Sequence, residues 1–494
     1  MQRGRRFDFD VTAIPIRRGV AWAFVGRVSD QLLTFAFGVV LARLLAPEAF
    51  GMLLTIQIFT GLVGFVAGGG MGQALVRAQS VTKEDFDVVF TLQLLIGCVI
   101  YGLFFVTAPL FAEWYGNPMY RDLLRLSALS FVFRPFVTVP TNALHRDLRF
   151  KAMAGVNIAC LIASSGVSIA LALRGWDVWS LIWGGIAGSA VRSVLLMWQT
   201  GWRPAFSLRF ARAGDLARYG ALVAGNDLVD YLRERVSIFI LSQTLGPRSV
   251  GLYNKGESLA MMPFLFASGS VYQVLFRALA VEQANLDKCR YLFNRSIGLV
   301  AVYATPIYVG LFWLAEPLVR GVYGVQWAAS AGPLFWLSFA WPIWLLGNLS
   351  GAVAASHNRL GIELRIQLLS LALNAVAIWL ALPAGINGVA WALITVSIVT
   401  GSMMFALALR TLQADWRETL HALYPAIGLN LALALVFASV EHALPTWILA
   451  HDLLHVASVG GIGALFYAAL ALYAPMPALR TEQTRWRTLL RLPT

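Results

Sequence analysis

Long apolar runs of about 20 residues follow one another along nearly the whole chain, each closed by a short charged or Gly/Pro-containing break. A bilayer core about 30 Å thick is crossed by about 20 apolar residues in helical form. Inside it the backbone must satisfy its own hydrogen bonds. Windows on this pattern predict spans at 19–45, 50–72, 88–112, 122–144, 152–173, 177–200, 216–242, 248–276, 293–315, 327–352, 365–382, 386–410, 418–440 and 453–473. The expectation is an all-α integral membrane fold of roughly fourteen helices. Of the 494 residues 59% are hydrophobic and 13% charged, against about 25% charged in soluble domains. Little chain remains for a soluble domain.

Charge in the connections gives an orientation. If Arg3, Arg5, Arg6, Arg17 and Arg18 hold the N-terminus inside, every second connection should be basic. It is: Arg77 and Lys83; Arg146, Arg149 and Lys151; Arg203, Arg209, Arg212 and Arg218; Arg277, Lys288, Arg290 and Arg295; Arg359 and Arg365; Arg410 and Arg417. The opposite connections hold at most one basic residue each: Arg121, Arg174, Arg248 or Arg320. Both termini are expected in the cytoplasm. A net charge of +13 spread in this way marks topology rather than a nucleic-acid face. Met1–Arg18 is polar and basic for too long, and carries Asp8 and Asp10, so it is expected to be retained rather than cleaved as a leader.

The chain also repeats itself. Arg18 through Ala78 lies on Arg218 through Ala278 without a gap, pairing Asp30 with Asp230, Pro47 with Pro247, Gly51 with Gly251, Gly69 with Gly269 and Arg77 with Arg277. After slight drift, Tyr115-Gly116 pairs with Tyr323-Gly324 and Arg134-Pro135 with Trp341-Pro342. Six spans separate the copies, so the repeats are parallel and form two lobes with a pathway between them, a transporter plan. The expected organisation is a cytoplasmic segment 1–18, an N-lobe 19–200, a linker 201–215, a C-lobe 216–410, two additional spans in 411–475 and a basic cytoplasmic tail 476–494.

Several stretches carry a family likeness. Val20-Ala21-Trp22 with Leu41-Ala42-Arg43-Leu44-Leu45-Ala46-Pro47-Glu48-Ala49-Phe50-Gly51, then His145-Arg146-Asp147-Leu148-Arg149-Phe150-Lys151-Ala152, then Leu245-Gly246 with Val250-Gly251-Leu252-Tyr253, resemble polysaccharide flippases. The likeness is to the colanic-acid and O-antigen type within the multidrug/oligosaccharidyl-lipid/polysaccharide exporter superfamily, over about residues 18–410. It implies twelve core spans in two lobes, often two more, in the bacterial inner membrane. It also implies an undecaprenyl-diphosphate-linked oligosaccharide as cargo for lipopolysaccharide or exopolysaccharide synthesis, with polysaccharide polymerase and export proteins as partners. One departure is Arg233-Glu234-Arg235, where such flippases commonly have a neutral or singly acidic stretch.

A charge at the centre of a span costs about 2.5–3.5 kcal/mol, so those retained should face a cavity or a partner. Arg27, Arg134, Arg233 and Arg235 are candidates to hold the diphosphate, since a guanidinium binds phosphate bidentately. Asp30, Asp227, Asp230 and Glu234 are candidates for coupling H+ or Na+, because a carboxylate in a low-dielectric cavity titrates nearer neutrality. Gln57, Lys255 and Glu257 are candidate sugar contacts near the outer gate. The structural alternative is that Arg27 with Asp30, and Asp230 with Arg233, are self-neutralising pairs. Gly68-Gly69-Gly70 and Gly72 lack the Lys-Ser/Thr of a phosphate loop and read as helix packing.

No cofactor or metal site is expected. Cys98, Cys160 and Cys289 are scattered, and His451 with His455 lacks the glutamate of H-E-x-x-H. Two other functions compete. A multidrug or cation antiporter of the same superfamily should carry mainly acidic cavity residues. A membrane polysaccharide polymerase or ligase would be an enzyme, expected to carry a large periplasmic loop, whereas the longest outer connection here, 441–452, has no Lys or Arg.

Overall fold

The computed structural model describes residues 16–68, 82–209, 231–232, 235–476 and 479–491, and among them no strand occurs. The helices are α1 (Ile16–Leu44), α2 (Pro47–Gly68), α3 (Lys83–Trp114), α4 (Met119–Ala128), α5 (Ser130–Arg146), α6 (Phe150–Ala172) and α7 (Asp177–Thr200). They continue as α8 (Gly246–Val281), α9 (Leu286–Trp313), α10 (Ala315–Tyr323), α11 (Ala331–Ser356), α12 (Leu360–Ala381), α13 (Gly385–Leu412), α14 (Trp416–Ala443), α15 (Asp452–Tyr473) and α16 (Arg480–Leu489). Among the described residues ten stretches are long and apolar enough to cross a membrane, and the one over Leu360–Leu412 contains both α12 and α13. The chain is a multi-pass helical membrane protein. Helices α1 and α8 fall outside that set although they run for 29 and 36 residues. Each carries charge in its apolar stretch, Arg27 and Asp30 in α1, Lys255 and Glu257 in α8. The seventh expected span, 216–242, lies mostly outside the described residues, as do Gly69, Gly70 and Gly72.

The chain divides into two compact units, residues 1–235 and 236–494. In the first, α6 and α7 approach through small residues, as membrane helices do when packing rather than hydrophobicity drives association. A Cβ at Gly184 would stand 2.6 Å from the Ser164 carbonyl, and the Cys160 thiol donates to the Gly188 carbonyl at 3.2 Å. Gly201, with φ of +64°, ends α7 in the left-handed conformation that glycine adopts without strain. The chain then runs extended along the start of α3: Trp202 Nε1 donates to Asp87 at 3.2 Å, the Ser207 amide to Thr91 at 3.0 Å, and Arg209 pairs with Glu84 at 2.9 Å.

The second unit is built on α8, α9, α11 and α13, around Cys289, Phe293, Ile297, Leu349 and Val353, all of them sealed from solvent. Of the two helices beyond the repeat, α14 packs on α9 and α15 on α14 and α10, in a core that includes Leu429, Leu433, Phe437 and Val459. Tyr467 donates to the Val302 carbonyl at 2.7 Å. His455 meets Glu441 of α14 at 3.0 Å, which ties α14 to α15, while His451 turns back to the Trp447 carbonyl. The aligned prolines of the repeat open corresponding helices, Pro47 at the start of α2 and Pro247 in the first turn of α8.

Candidate functional site

Within the first unit, α2, α5, α7 and residues 231 and 235 of the expected seventh span surround a cavity of about 440 Å³. Helix α5 contributes Ser130, Phe131, Phe133, Arg134 and Val137, and α2 contributes Leu54, Gln57, Ile58, Thr60 and Gly61. Ser189 and Arg192 come from α7, and Tyr231 and Arg235 complete the wall. Among the described residues three guanidiniums line this space and no carboxylate does. Among the described residues none of the three has a carboxylate within ion-pair distance. The Arg192 Nε is buried and has no hydrogen-bond partner among them.

Two glycines of α2 make room for these side chains. A Cβ at Gly64 would lie 2.7 Å from Arg134 Nη1, so the guanidinium is laid against bare backbone. One turn away, a Cβ at Gly61 would overlap the Tyr231 hydroxyl and lie 2.6 Å from its Cζ. The Tyr231 hydroxyl donates to the carbonyls of Gln57 and Ile58, at 2.8 and 2.9 Å. Arg235 Cζ lies 5.7 Å from the Tyr231 ring centroid, within cation–π range.

The repeat shows what this chemistry replaces. Gly64 and Arg134 correspond to Phe264 and Trp341, whose ring centroids are 5.1 Å apart, with Trp344 5.3 Å from each. Where the first unit places a cation against a glycine, the second packs aromatic rings. Positions that the repeat aligns therefore carry different chemistry.

The candidates read from the sequence separate into groups. Arg134, Arg235 and Gln57 share the cavity, with Gln57 exposed. Asp30 is partly buried on α1, and the Cys160 thiol feels the charge of both Asp30 and Arg192. Lys255 lies elsewhere, in the second unit, with its Nζ 5.1 Å from the Tyr323 ring and 5.5 Å from that of Trp327. Glu257 neighbours the buried Tyr253 on the same helix. The side chain of Arg27, and the whole of Asp227, Asp230, Arg233 and Glu234, lie outside the described residues. Arg192 was not among the sequence candidates. Its signal was the one that picked out Arg134, a lone arginine well inside an apolar span.

Residues 40–332 match the family described as "Polysaccharide biosynthesis protein", which is more than half of the chain. The chain belongs to this family. It is 26% identical to the succinoglycan biosynthesis transport protein ExoT of Rhizobium meliloti (strain 1021), over 69% of this chain and 67% of that one. It is 22% identical to the lipopolysaccharide biosynthesis protein WzxC of Escherichia coli (strain K12), over 85% and 86%, and 21% identical to the teichuronic acid biosynthesis protein TuaB of Bacillus subtilis (strain 168), over 78% and 80%. Among solved structures it is similar to the lipid II flippase MurJ in an inward closed conformation, with a TM-score of 0.69 at 15% identity over 91% of this chain and 99% of that one. It is also similar to an inward-facing multidrug resistance MATE transporter, with a TM-score of 0.61 at 15% identity over 78% and 94%. The fold is thus shared with these two solved transporters.

Proposed function

We propose that this family member is an alternating-access flippase that carries an undecaprenyl-diphosphate-linked oligosaccharide repeat unit across the bacterial inner membrane for surface polysaccharide synthesis. The observation that carries the reading is the cavity lined by Arg134, Arg192 and Arg235 and, among the described residues, by no acidic side chain. A lipid diphosphate brings about two negative charges that lipid cannot solvate. Guanidiniums offer paired donors to phosphate and stay charged when half-buried. The prenyl chain remains in the bilayer while the sugars pass through a wet interior. The names of the relatives, which speak of polysaccharide synthesis and transport, and the fold shared with a lipid II flippase support the same assignment.

In this reading residues 19–200 and 216–410 are the two rocking lobes, and both termini are cytoplasmic as the loop charges require. Arg27 and Arg233 join the diphosphate site, and Asp30, Asp227, Asp230 or Glu234 couples transport to H+ or Na+. The multidrug antiporter alternative shares the fold, yet a cation carrier needs acceptors for positive charge, and three arginines repel it. Transport, not polymerisation, is the expected activity.

Purified protein in liposomes, given a defined undecaprenyl-diphosphate oligosaccharide and an imposed H+ or Na+ gradient, should move the lipid to the opposite leaflet. Absence of flipping under both gradients, together with uptake of a cationic dye, would overturn the assignment.

A further inference from the structure

The helix at the end of the chain presents a surface that the transport pathway does not use. The candidate span carrying α15 ends at Tyr473, and α16 begins at Arg480. Helix α16 is fastened to that end from several directions. Gln483 donates to the carbonyls of Ala471 and Ala474 at 2.9 and 2.8 Å, and Arg487 donates to that of Leu472 at 2.8 Å. These bonds take up orphan carbonyls at the C-terminus of α15. Arg295 of α9 pairs with Glu482 at 3.0 Å, and Trp486 Nε1 donates to the Tyr303 hydroxyl at 2.7 Å. The helix is therefore held where the bilayer core gives way to headgroups.

What it leaves outward is amphipathic. Trp486, Leu489 and Leu490 are exposed along one flank. Arg480, Arg485 and Arg491 are exposed, and among the described residues no carboxylate lies within ion-pair distance of them, since Glu482 is taken by Arg295. The hydroxyls of Thr484 and Thr488 on the outer face bond to carbonyls of α16 itself, at 2.9 and 2.8 Å. Apolar side chains beside unpaired cations, on a helix at a membrane boundary, match the chemistry of an anionic lipid surface.

We propose that α16 is a seat for anionic phospholipid headgroups, with Arg480, Arg485 and Arg491 as the phosphate-facing cations and Trp486, Leu489 and Leu490 set among the upper acyl carbons. The helix then links lipid composition to the packing of α9 and α15 through the Arg295–Glu482 and Trp486–Tyr303 contacts.

The test uses the full chain in mixed micelles with equimolar phosphatidylglycerol and phosphatidylcholine, counting retained lipids by native mass spectrometry. Each arginine near an anionic surface is worth roughly fivefold in local enrichment. The wild type should therefore retain phosphatidylglycerol several-fold over phosphatidylcholine, and the triple variant R480Q/R485Q/R491Q should lose at least roughly fivefold of that preference while keeping its melting temperature. Raising NaCl to about 0.5 M should weaken the wild-type preference, because salt screens exposed charges within a few ångströms. Equal retention of the two lipids by the wild type, an unchanged preference in the triple variant, or a preference indifferent to salt each overturns the proposal. Where the triple variant does not fold, the single variants R480Q and R485Q decide the question, each expected to lose part of the preference that R146Q, on another basic connection, keeps.

Discussion

Replacing Arg134 by Gln separates a cargo-binding arginine from a structural one, because the two roles move stability and transport in different ways. The three guanidiniums share the lining of one 440 Å³ cavity. At an effective dielectric of about 20, two like charges about 10 Å apart repel by about 2 kcal/mol. Arg134 takes part in two such pairs and has no carboxylate partner among the described residues. Removing its charge should therefore leave the melting temperature unchanged or raise it, as happens where a site trades stability for function. Transport should move the other way. Truncating one member of a desolvated charge pair costs about 2–5 kcal/mol, which is a loss of about 30-fold or more in flipping rate at sub-saturating lipid. Arg134→Lys should recover part of this, since it restores the charge but not the planar fork. The assays are a fluorescence melt of the purified protein and leaflet-specific detection of a lipid diphosphate in proteoliposomes. A variant that flips at the wild-type rate, or one that melts several degrees lower, would refute the reasoning.

Other expectations follow from the same geometry. Arg192→Gln should lower flipping by a factor similar to that for Arg134→Gln, and the double variant should lose less than the product of the two, as residues sharing a ligand do; full additivity would place Arg192 outside the site. Tyr231→Phe removes the donor to the Gln57 and Ile58 carbonyls and should cost about 0.5–1.5 kcal/mol in stability, whereas Gly61→Ala should displace the ring altogether and abolish flipping; equal effects in melting and transport assays would count against a seated Tyr231. Gly184→Leu should destabilise by at least about 1–3 kcal/mol, since even a Cβ there approaches the Ser164 carbonyl to 2.6 Å, and membrane yield with thermal melting will report it.

Much of this protein was readable from composition and order. The apolar windows predicted at 88–112, 152–173, 177–200 and 453–473 coincide closely with helices Lys83–Trp114, Phe150–Ala172, Asp177–Thr200 and Asp452–Tyr473. Helix formation in a bilayer is decided locally, by whether about 20 successive side chains tolerate lipid. The charged spans expected at 19–45 and 248–276 likewise coincide with helices Ile16–Leu44 and Gly246–Val281, although charge lowers their mean hydropathy, because one polar residue offsets several apolar ones in any local sum.

The cationic cavity was half visible. Insertion cost marked Arg134 and Arg235 as charges needing a reason, while Lys255, a candidate sugar contact near the outer gate, lies against Tyr323 and Trp327 in the second unit. A local cost cannot tell a side chain that lines a cavity from one enclosed by rings. The repeat predicted matched folds but not matched chemistry, so Gly64 with Arg134 and Phe264 with Trp341 look interchangeable until their contacts are seen. The sequence by itself determined that this chain is a duplicated bundle of membrane helices carrying isolated arginines, since those properties depend on each span alone. Only the tertiary structure decided that Arg134, Arg192 and Arg235, from three separate helical segments, meet in one space that no carboxylate among the described residues lines. Their meeting depends on how far each helix is rotated and how closely the glycines of α2 let its neighbours approach, and no single span contains that information.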